Sequence, residues 1–307
     1  MTRQAYYTPC PSHGSLRAGR LGAVALLVPA VLAAQRPDPH TAAYPDSLCP
    51  SCAEWNAPQR PFRIHGNTYY VGTRGLTALL ITSGEGHVLI DGGLPNTAPL
   101  ILENVRALGF AATDIKLILN SHAHYDHAGG LRALQLASGA RVVLSDASAS
   151  VVERGSAAED DPQHAIAFGF PAVPEVTRVA HGQPVSVGPL TLTAYLTEGH
   201  APGGTTWSWE LCESGRCITL VYADSQTPVS ADGFRFTGSG AVAAFERGFA
   251  LLEGLRCDLL ITPHPGASLF WERVDAQKVI DPEACRRYAA AGRRQLARRL
   301  EAEAARP

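Results

Sequence analysis

Three histidines and one aspartate lie within six consecutive residues near the middle of the chain, from His122 to His127. The segment reads His-Ala-His-Tyr-Asp-His, which brings three imidazoles and one carboxylate into a small volume. Nitrogen and oxygen donors of this kind suit a divalent metal of the zinc type. Since the 307-residue chain has only 11 histidines, a chance cluster of three is a poor explanation. The segment therefore predicts a metal site, with enough donors for two ions.

Two more histidines follow predicted strands in the second half of the chain. His200 lies in the turn-rich segment Gly-His-Ala-Pro-Gly, and His264 lies in the segment Thr-Pro-His-Pro-Gly. Strand ends at one edge of a sandwich can converge, so three loops can supply one site. The expected ligands are His122, His124, Asp126, His127, His200 and His264. The histidines without such a context are expected to be ordinary surface or loop residues: His13, His40, His65, His87, His164 and His181.

The elements that must position these residues occur in two similar halves. The first half has predicted strands at residues 67–73, 76–82, 87–90, 115–119 and 141–144, and helices at 100–108, 131–136 and 147–154. The second half has predicted strands at residues 176–179, 190–196, 205–211, 217–222 and 259–261, and helices at 241–252 and 282–305. Strands followed by helices, twice, predict a mixed α/β (α+β) fold with two facing sheets and helices outside, an αββα sandwich. The apolar strand at 115–119 leads directly into the histidine-rich segment.

Composition and the N-terminus bound the class of protein. Hydrophobic residues make up 46% of the chain and the formal net charge is −2, which is typical of a globular protein. Basic residues cluster only near the C-terminus, as on the solvated face of a helix, so no nucleic-acid partner is expected. Two arginines precede an apolar run at residues 21–32, which is too short to span a bilayer and is followed by two alanines. We predict a secretory signal peptide over 1–34, a single domain over 35–307, a periplasmic location and no membrane anchor after processing.

Export makes disulfides the expected state of the six cysteines that follow the signal. We predict three pairs, namely Cys49–Cys52, Cys212–Cys217 and Cys257–Cys285. The second pair, here called the hairpin disulfide, would close a turn between two strands. The third would tie the last helix to a buried strand, and the first follows by elimination. The alternative is a zinc site formed by the four cysteines of the first two pairs, although the second half of that site lacks a Cys-x-x-Cys knuckle.

These motifs resemble those of the metallo-β-lactamase superfamily, and more closely those of class B, subclass three. The matching segments are residues 120–130, 199–203, 222–225 and 262–265, within a similarity that extends from about residue 55 to the last helix. The resemblance implies a first zinc ion held by His122, His124 and His200. It implies a second zinc ion held by Asp126, His127 and His264.

The resemblance also implies roles for residues around the ions. Ser225 and Thr227 would help to bind the substrate carboxylate. Asp224 would be a structural residue beside the site, whereas in related hydrolases of the glyoxalase type an aspartate on this loop bridges the two ions. Asp91 resembles an aspartate that supports the ligand loop, and a simple turn residue after a strand would have nearly the same role.

The implied activity is opening of the β-lactam ring of penicillins and cephalosporins, with carbapenems also expected as substrates. Two zinc ions about 3.5–4 Å apart can lower the pKa of a shared water, and the resulting zinc-bound hydroxide attacks the carbonyl. In this mechanism Asp126 would also orient the hydroxide. The expected partner is the small-molecule β-lactam alone, with the protein acting as a monomer.

Other functions remain to be distinguished. Another dizinc hydrolase of the same fold, such as a lactonase or a thioester hydrolase, is the main alternative. A secreted metal-binding module without enzymatic activity would not need Asp126 beside His127. A serine β-lactamase is excluded because the chain has no Ser-x-x-Lys motif and only two lysines.

Overall fold

The computed structural model describes residues 39–45, 48–213 and 215–305. These residues form two β-sheets that face each other, with helices on the two outer surfaces. The predicted αββα sandwich is therefore confirmed. The predicted signal peptide at 1–34 lies outside the described residues.

The first sheet has seven strands arranged in chain order. They are β1 (Phe62–His65), β2 (Thr68–Tyr70), β3 (Leu79–Ile81), β4 (His87–Ile90), β5 (Ile115–Leu119), β6 (Arg141–Ser145) and β7 (Thr177–Val179). Strands β1 to β4 pair antiparallel, and β4 to β7 pair parallel.

The second sheet has five strands in the order β12-β11-β10-β9-β8. They are β8 (Pro184–Val187), β9 (Leu190–Leu196), β10 (Thr205–Glu213), β11 (Arg216–Tyr222) and β12 (Leu259–Ile261). All neighbours are antiparallel except β11 and β12, which are parallel.

Eight α-helices are present in the described part of the chain. They are α1 (Cys52–Trp55), α2 (Ala98–Ala107), α3 (Tyr125–Ala128), α4 (Leu131–Ser138), α5 (Asp146–Arg154), α6 (Ala241–Gly254), α7 (Phe270–Asp275) and α8 (Ala284–Ala304). Helices α2, α4 and α5 pack on the outer face of the first sheet, and α6 and α8 pack on the outer face of the second. Within the described residues, no helix is both long enough and apolar enough to cross a membrane.

The central strands of the first sheet are apolar on both faces because each face meets another layer. In β3, Leu79 and Ile81 point between the sheets, whereas Leu80 packs against the outer helices. This alternation follows from the two-residue period of a strand. Burying one such side chain stabilises the fold by about 1.5–3 kcal/mol. A central strand buries side chains on both faces, so it contributes to both cores. Strands with two buried faces appear in the sequence as continuous apolar runs.

Two edge strands, β1 and β8, were not predicted from the sequence. Each has only one buried residue, Ile64 in β1 and Val185 in β8. Both also have a proline at the start, Pro61 immediately before β1 and Pro184 as the first residue of β8. Proline is tolerated at such edge positions because no partner strand requires its missing N–H. Short, half-exposed strands therefore lack the apolar pattern that identifies central ones.

All three predicted disulfides are confirmed: Cys49–Cys52, Cys212–Cys217 and Cys257–Cys285. The hairpin disulfide joins residues that lie opposite each other on β10 and β11. The alternative four-cysteine zinc site is wrong, because its sulfur atoms are paired with each other.

The loops that carry the predicted ligands all leave the sandwich at one edge. In the first sheet, the parallel strands β4 and β5 end at Ile90 and Leu119. In the second sheet, β9, β11 and β12 run in the same direction and end at Leu196, Tyr222 and Ile261. Since the carboxyl ends of strands with a common direction share an edge, the loops that follow them come together.

Candidate metal centre

Local backbone structure explains why the histidine-rich segment presents its side chains to one place. His122 and His124 lie in the short connection between β5 and α3, which is neither strand nor helix. His124 is also the N-cap of α3, with an extended backbone conformation. The single turn of α3 then carries Asp126 and His127 in its first residues. The change from extended chain to helix directs four donor groups into one volume.

Three histidines from two loops form the first group of donors. The ligand atoms of His122, His124 and His200 all lie within 4.8 Å of one another, and all three residues are buried. The rings of His122 and His124 are 4.6 Å apart between centroids, and those of His122 and His200 are 4.9 Å apart. Three imidazoles at this spacing are a suitable ligand set for one zinc ion.

The second group of donors lies directly beside the first. Asp126 Oδ2 is 3.2 Å from His127 Nε2 and 3.1 Å from His264 Nε2. The two imidazole nitrogens are themselves 3.2 Å apart. His122, Asp126 and His127 also form a group within 4.8 Å, so the two sets of donors adjoin at His122. The structure thus brings together all six residues that the sequence analysis selected as metal ligands.

In the first group of donors, one ring nitrogen of each histidine is held by a hydrogen bond. His122 Nδ1 is 2.7 Å from Asp224 Oδ1, and His124 Nε2 is 2.9 Å from Asp161 Oδ2. His200 Nδ1 is 2.8 Å from the carbonyl oxygen of Thr227. Each acceptor requires the nitrogen it contacts to carry the proton, so the opposite nitrogen of each ring is left with a lone pair. Partners of this type are what a histidine ligand of a metal ion needs.

Unpaired buried atoms provide a direct test of whether a metal ion fits. His122 Nε2 is inaccessible to solvent and has no hydrogen-bond partner among the described residues. A buried polar atom without a partner is costly, and a metal ion at this position would remove that cost. The three mutually close donors of the second group also require a shared cation or proton between them. The residues present therefore fit two zinc ions.

The pKa values favour the protonation states that bind metal. Burial lowers the pKa of His200 to about 3, and it lowers the pKa of His122 well below its usual range, with neighbouring histidines adding to the effect. Burial alone would raise the pKa of Asp126, but His127 and His264 outweigh it and lower that pKa well below normal. Neutral imidazoles beside an ionised carboxylate are the forms in which these groups act as ligands.

Asp91 holds the two residues that immediately precede the histidine-rich segment. Its carboxylate accepts hydrogen bonds from Asn120 Nδ2 at 2.8 Å, from both N and Oγ of Ser121 at 2.7 Å, and from the Tyr222 hydroxyl at 2.6 Å. Its backbone has a φ of 62°, in the left-handed region that non-glycine residues rarely adopt. Burial raises the pKa of Asp91 despite these bonds. The predicted supporting role of Asp91 is confirmed by these contacts.

Asp224 lies behind His122 and holds its Nδ1 atom. Burial raises the pKa of this fully buried carboxyl group. Its second oxygen, Oδ2, has no hydrogen-bond partner among the described residues, and it lies against Gly204, where an added Cβ would be 2.2 Å away. Of the two roles considered for Asp224, the supporting role agrees with this position.

Ser225 and Thr227, the predicted substrate-binding residues, lie on the loop after β11. Ser225 is buried, with 5% of its surface exposed. The Thr227 hydroxyl is 3.2 Å from His200 Nδ1, next to the carbonyl that holds the same nitrogen. Thr227 thus contacts the predicted metal ligand His200 through its carbonyl as well as its hydroxyl. The sequence analysis considered only the hydroxyl.

Sequence reasoning missed two residues on the loop between α5 and β7. Asp161 is buried, and its carboxylate contacts the ring of His124. Burial raises the pKa of Asp161, but the hydrogen bonds from His124 and from Gln163 N outweigh it and lower that pKa. Gln163 Nε2 is 3.2 Å from His200 Nε2, the nitrogen that faces the centre. No spacing in the sequence links this loop to the histidines, which is why the loop gave no signal.

The remaining described histidines lie outside the cluster of ligand atoms. His181 Nδ1 accepts a hydrogen bond from the backbone of Leu196, and His87 Nδ1 accepts one from Ser83. His65 lies 3.9 Å from a carboxylate oxygen of Glu213 at the other end of the sandwich.

Comparison with known proteins defines the class to which this fold and centre belong. The sequence profile of the metallo-β-lactamase superfamily matches residues 71–231. The chain is also 26% identical over 180 residues to the uncharacterized protein YobT of Bacillus subtilis (strain 168), covering 57% of this chain and 69% of YobT. The chain belongs to the metallo-β-lactamase superfamily.

Solved structures narrow the assignment within the superfamily. The Rm3 metallo-β-lactamase is 48% identical, with a TM-score of 0.82 and coverage of 83% of this chain and 98% of that one. MEM-A1, a subclass B3 metallo-β-lactamase from a soil metagenome library, is 44% identical, with a TM-score of 0.81 and coverage of 82% and 100%. Within the superfamily, the resemblance to subclass B3 inferred from the motifs is confirmed.

Proposed function

We propose that the protein is a zinc-dependent hydrolase that opens the β-lactam ring of antibiotics. The observation that carries this proposal is the pair of adjoining donor groups, three histidines beside an aspartate and two further histidines. Two bound zinc ions would supply an activated water as the nucleophile and would polarise the lactam carbonyl. Similarity to subclass B3 enzymes over nearly their whole length supports the β-lactam as the substrate.

The protein's own residues would hold, orient and enclose the reactants. His122, His124 and His200 would bind one ion, and Asp126, His127 and His264 would bind the other. Asp126 contacts both His127 and His264, and its carboxylate would also accept a hydrogen bond from the attacking water. That hydrogen bond would direct a lone pair of the water toward the carbonyl carbon.

Groups beside the donors would bind the remainder of the substrate. The Ser225 and Thr227 hydroxyls on the loop after β11 would donate hydrogen bonds to the carboxylate of the β-lactam. The Gln163 amide, which lies 3.2 Å from His200 Nε2, would have to turn away when a metal ion occupies that nitrogen. Its N–H groups are then available to a substrate oxygen next to the centre.

The proposal extends to substrate range and location. Penicillins, cephalosporins and carbapenems share the fused lactam and carboxylate that these groups would recognise, so all three classes are expected substrates. The signal-like N-terminus supports export to the periplasm, where the three disulfides would be stable. A monomer holds a complete set of donors, so no second subunit is needed.

The position of Asp224 counts against the alternative of a glyoxalase-type thioester hydrolase. Such an enzyme would use this aspartate to bridge the two ions. Here Asp224 Oδ1 is instead bonded to His122 Nδ1, on the side of the ring that faces away from the donors. A lactonase of the same fold is distinguished by direct assay of both substrate types.

Turnover of the chromogenic cephalosporin nitrocefin, with and without a chelator, tests the proposed function. We expect hydrolysis that the chelator abolishes and added zinc restores. His200→Ala should lower turnover by orders of magnitude, whereas the matched control His181→Ala should have little effect. Hydrolysis that survives metal removal, equal losses in the two variants, or turnover of lactones or thioesters but not of β-lactams would refute the proposal.

A further inference from the structure

The carbonyl of Gly203 is the meeting point of three hydroxyl groups. It accepts hydrogen bonds from Ser145 Oγ at 2.5 Å, Ser148 Oγ at 3.1 Å and Thr205 Oγ1 at 2.9 Å. All three hydroxyl-bearing residues are at least 98% buried. The three donors share the two lone pairs of this oxygen and together fix its position. We call Gly203 with these three residues the Gly203 hub.

The hub joins two parts of the chain that are distant in sequence. Ser145 is the N-cap of α5, and its Oγ also accepts a hydrogen bond from Ser148 N. Gly203 lies 58 residues after Ser145, in the loop that carries His200. This contact requires a glycine at position 203. Gly203 has a φ of 76°, and an added Cβ would lie 2.5 Å from Ser145 Oγ and 2.6 Å from Ser148 N.

The loop that carries His200 is short and closed. Thr197 N donates to Gly204 O at 2.8 Å, which joins the two ends of the loop, and Gly203 N donates to Glu198 Oε1 at 3.2 Å. Immediately after the loop, Thr205 N donates to Ser121 O at 2.6 Å, next to His122. A loop held at both ends transmits a shift at Gly203 to His200, three residues earlier. The ring of His200 is contacted by the Thr227 carbonyl at Nδ1 and by the Gln163 amide at Nε2, whereas its backbone is held through this loop.

We propose that Ser145 and Ser148 are positioning residues that set the place of His200 in the first group of metal donors. They act through the Gly203 carbonyl and belong to neither group of metal donors. The inference rests on the proposed function to the extent that His122, His124 and His200 bind the first ion. It adds that α5 sets the affinity of this site, and not that of the site formed by Asp126, His127 and His264.

Ser148→Ala tests this inference with Ser150→Ala as the matched control. Ser150 lies on the same helix, and its hydroxyl bonds to Asp146 O within the helix, away from the hub. The readout is the affinity of each of the two sites for zinc, from competition with a chelator, and the visible spectrum of the cobalt-substituted protein. We expect Ser148→Ala to weaken the first site by about 3- to 10-fold, the effect of one lost hydrogen bond, and to change the cobalt bands of that site.

A second variant removes a hub hydroxyl that lies on β10 and not on α5. Thr205→Ala removes a hydroxyl of β10 from the same carbonyl, so it should weaken the same site while leaving the second site unchanged. Equal zinc affinities of Ser148→Ala and Ser150→Ala, or equal losses of affinity at both zinc sites, would overturn the inference. Neither result would count against the proposed function, because that rests on β-lactam turnover by the native protein. Conversely, a native protein that binds two zinc ions but hydrolyses no β-lactam would refute the proposed function, and the site-selective loss would still stand.

Discussion

Asparagine at position 161 should weaken zinc binding because it cannot replace both oxygens of the aspartate. Asp161 Oδ2 accepts from His124 Nε2 at 2.9 Å, and Oδ1 accepts from Gln163 N at 2.7 Å. Asparagine has a single acceptor oxygen, so in Asp161→Asn one of two N–H groups in this buried place must lose its partner. Leaving such a donor unpaired costs about 1–3 kcal/mol.

The cost falls on zinc affinity because His124 can bind an ion well only when its other nitrogen is held. A loss of about 1.4–2.8 kcal/mol corresponds to a 10- to 100-fold weaker site, which is the range for partners of histidine ligands. Asp160→Asn is the matched control, since Asp160 is the preceding residue, is exposed and changes charge in the same way. The assay is zinc competition with a chromophoric chelator, followed by turnover as a function of added zinc.

We expect Asp161→Asn to bind one zinc ion 10- to 100-fold more weakly than Asp160→Asn and to recover most of its turnover when zinc is in excess. If the two variants bind zinc equally well, the hydrogen bond to His124 does not tune the site. If Asp161→Asn binds zinc normally and still loses turnover, Asp161 acts on the substrate or water instead, and the reasoning is refuted in a different way.

Three further predictions concern the substrate, acid stability and the disulfides. Ser225→Ala should raise KM for β-lactams more than it lowers kcat, because it removes binding that is equal in ground and transition states; loss of bound zinc would contradict this. Glu303 accepts hydrogen bonds from two backbone N–H groups, Thr237 Oγ1 and Arg299, which outweigh burial and lower its pKa to about 2. The ionised Glu303 carboxylate should add about 1–3 kcal/mol to the free energy of unfolding, fully above about pH 4.5 and progressively less as the pH falls toward 2. The free energy of unfolding of Glu303→Gln in urea should therefore lack this part of the pH dependence of the native protein. Replacing both cysteines of the 257–285 disulfide with serine should lower the melting temperature and zinc retention more than removing the hairpin disulfide, since their sequence separations are 28 and 5 residues and the longer loop is worth about 3–4 kcal/mol; equal melting temperatures would contradict it.

Central strands and metal donors could be predicted from the sequence because each leaves a local signature. The run Ile115–Leu119 is apolar except for the exposed Lys116, its other four residues are buried, and the structure gives it the predicted bounds. His200 and His264 were found because each follows such a strand within a few residues. Edge strands such as β1 and β8 leave a weaker pattern, because only one of their faces meets the core.

Partners of the metal donors could not be predicted in the same way, because a hydrogen bond to an imidazole sets few conditions on its acceptor. The acceptor can be a carboxylate on an irregular loop, as at Asp161, or a backbone carbonyl, as at Thr227. Any residue can supply a backbone carbonyl, so the sequence does not indicate which carbonyl accepts the hydrogen bond. Distances along the chain of 37 and 27 residues separate these acceptors from His124 and His200, and only the folded arrangement of loops removes that separation. The candidate metal ligands are thus readable from spacing, whereas the residues that hold them depend on how the two halves of the sandwich meet.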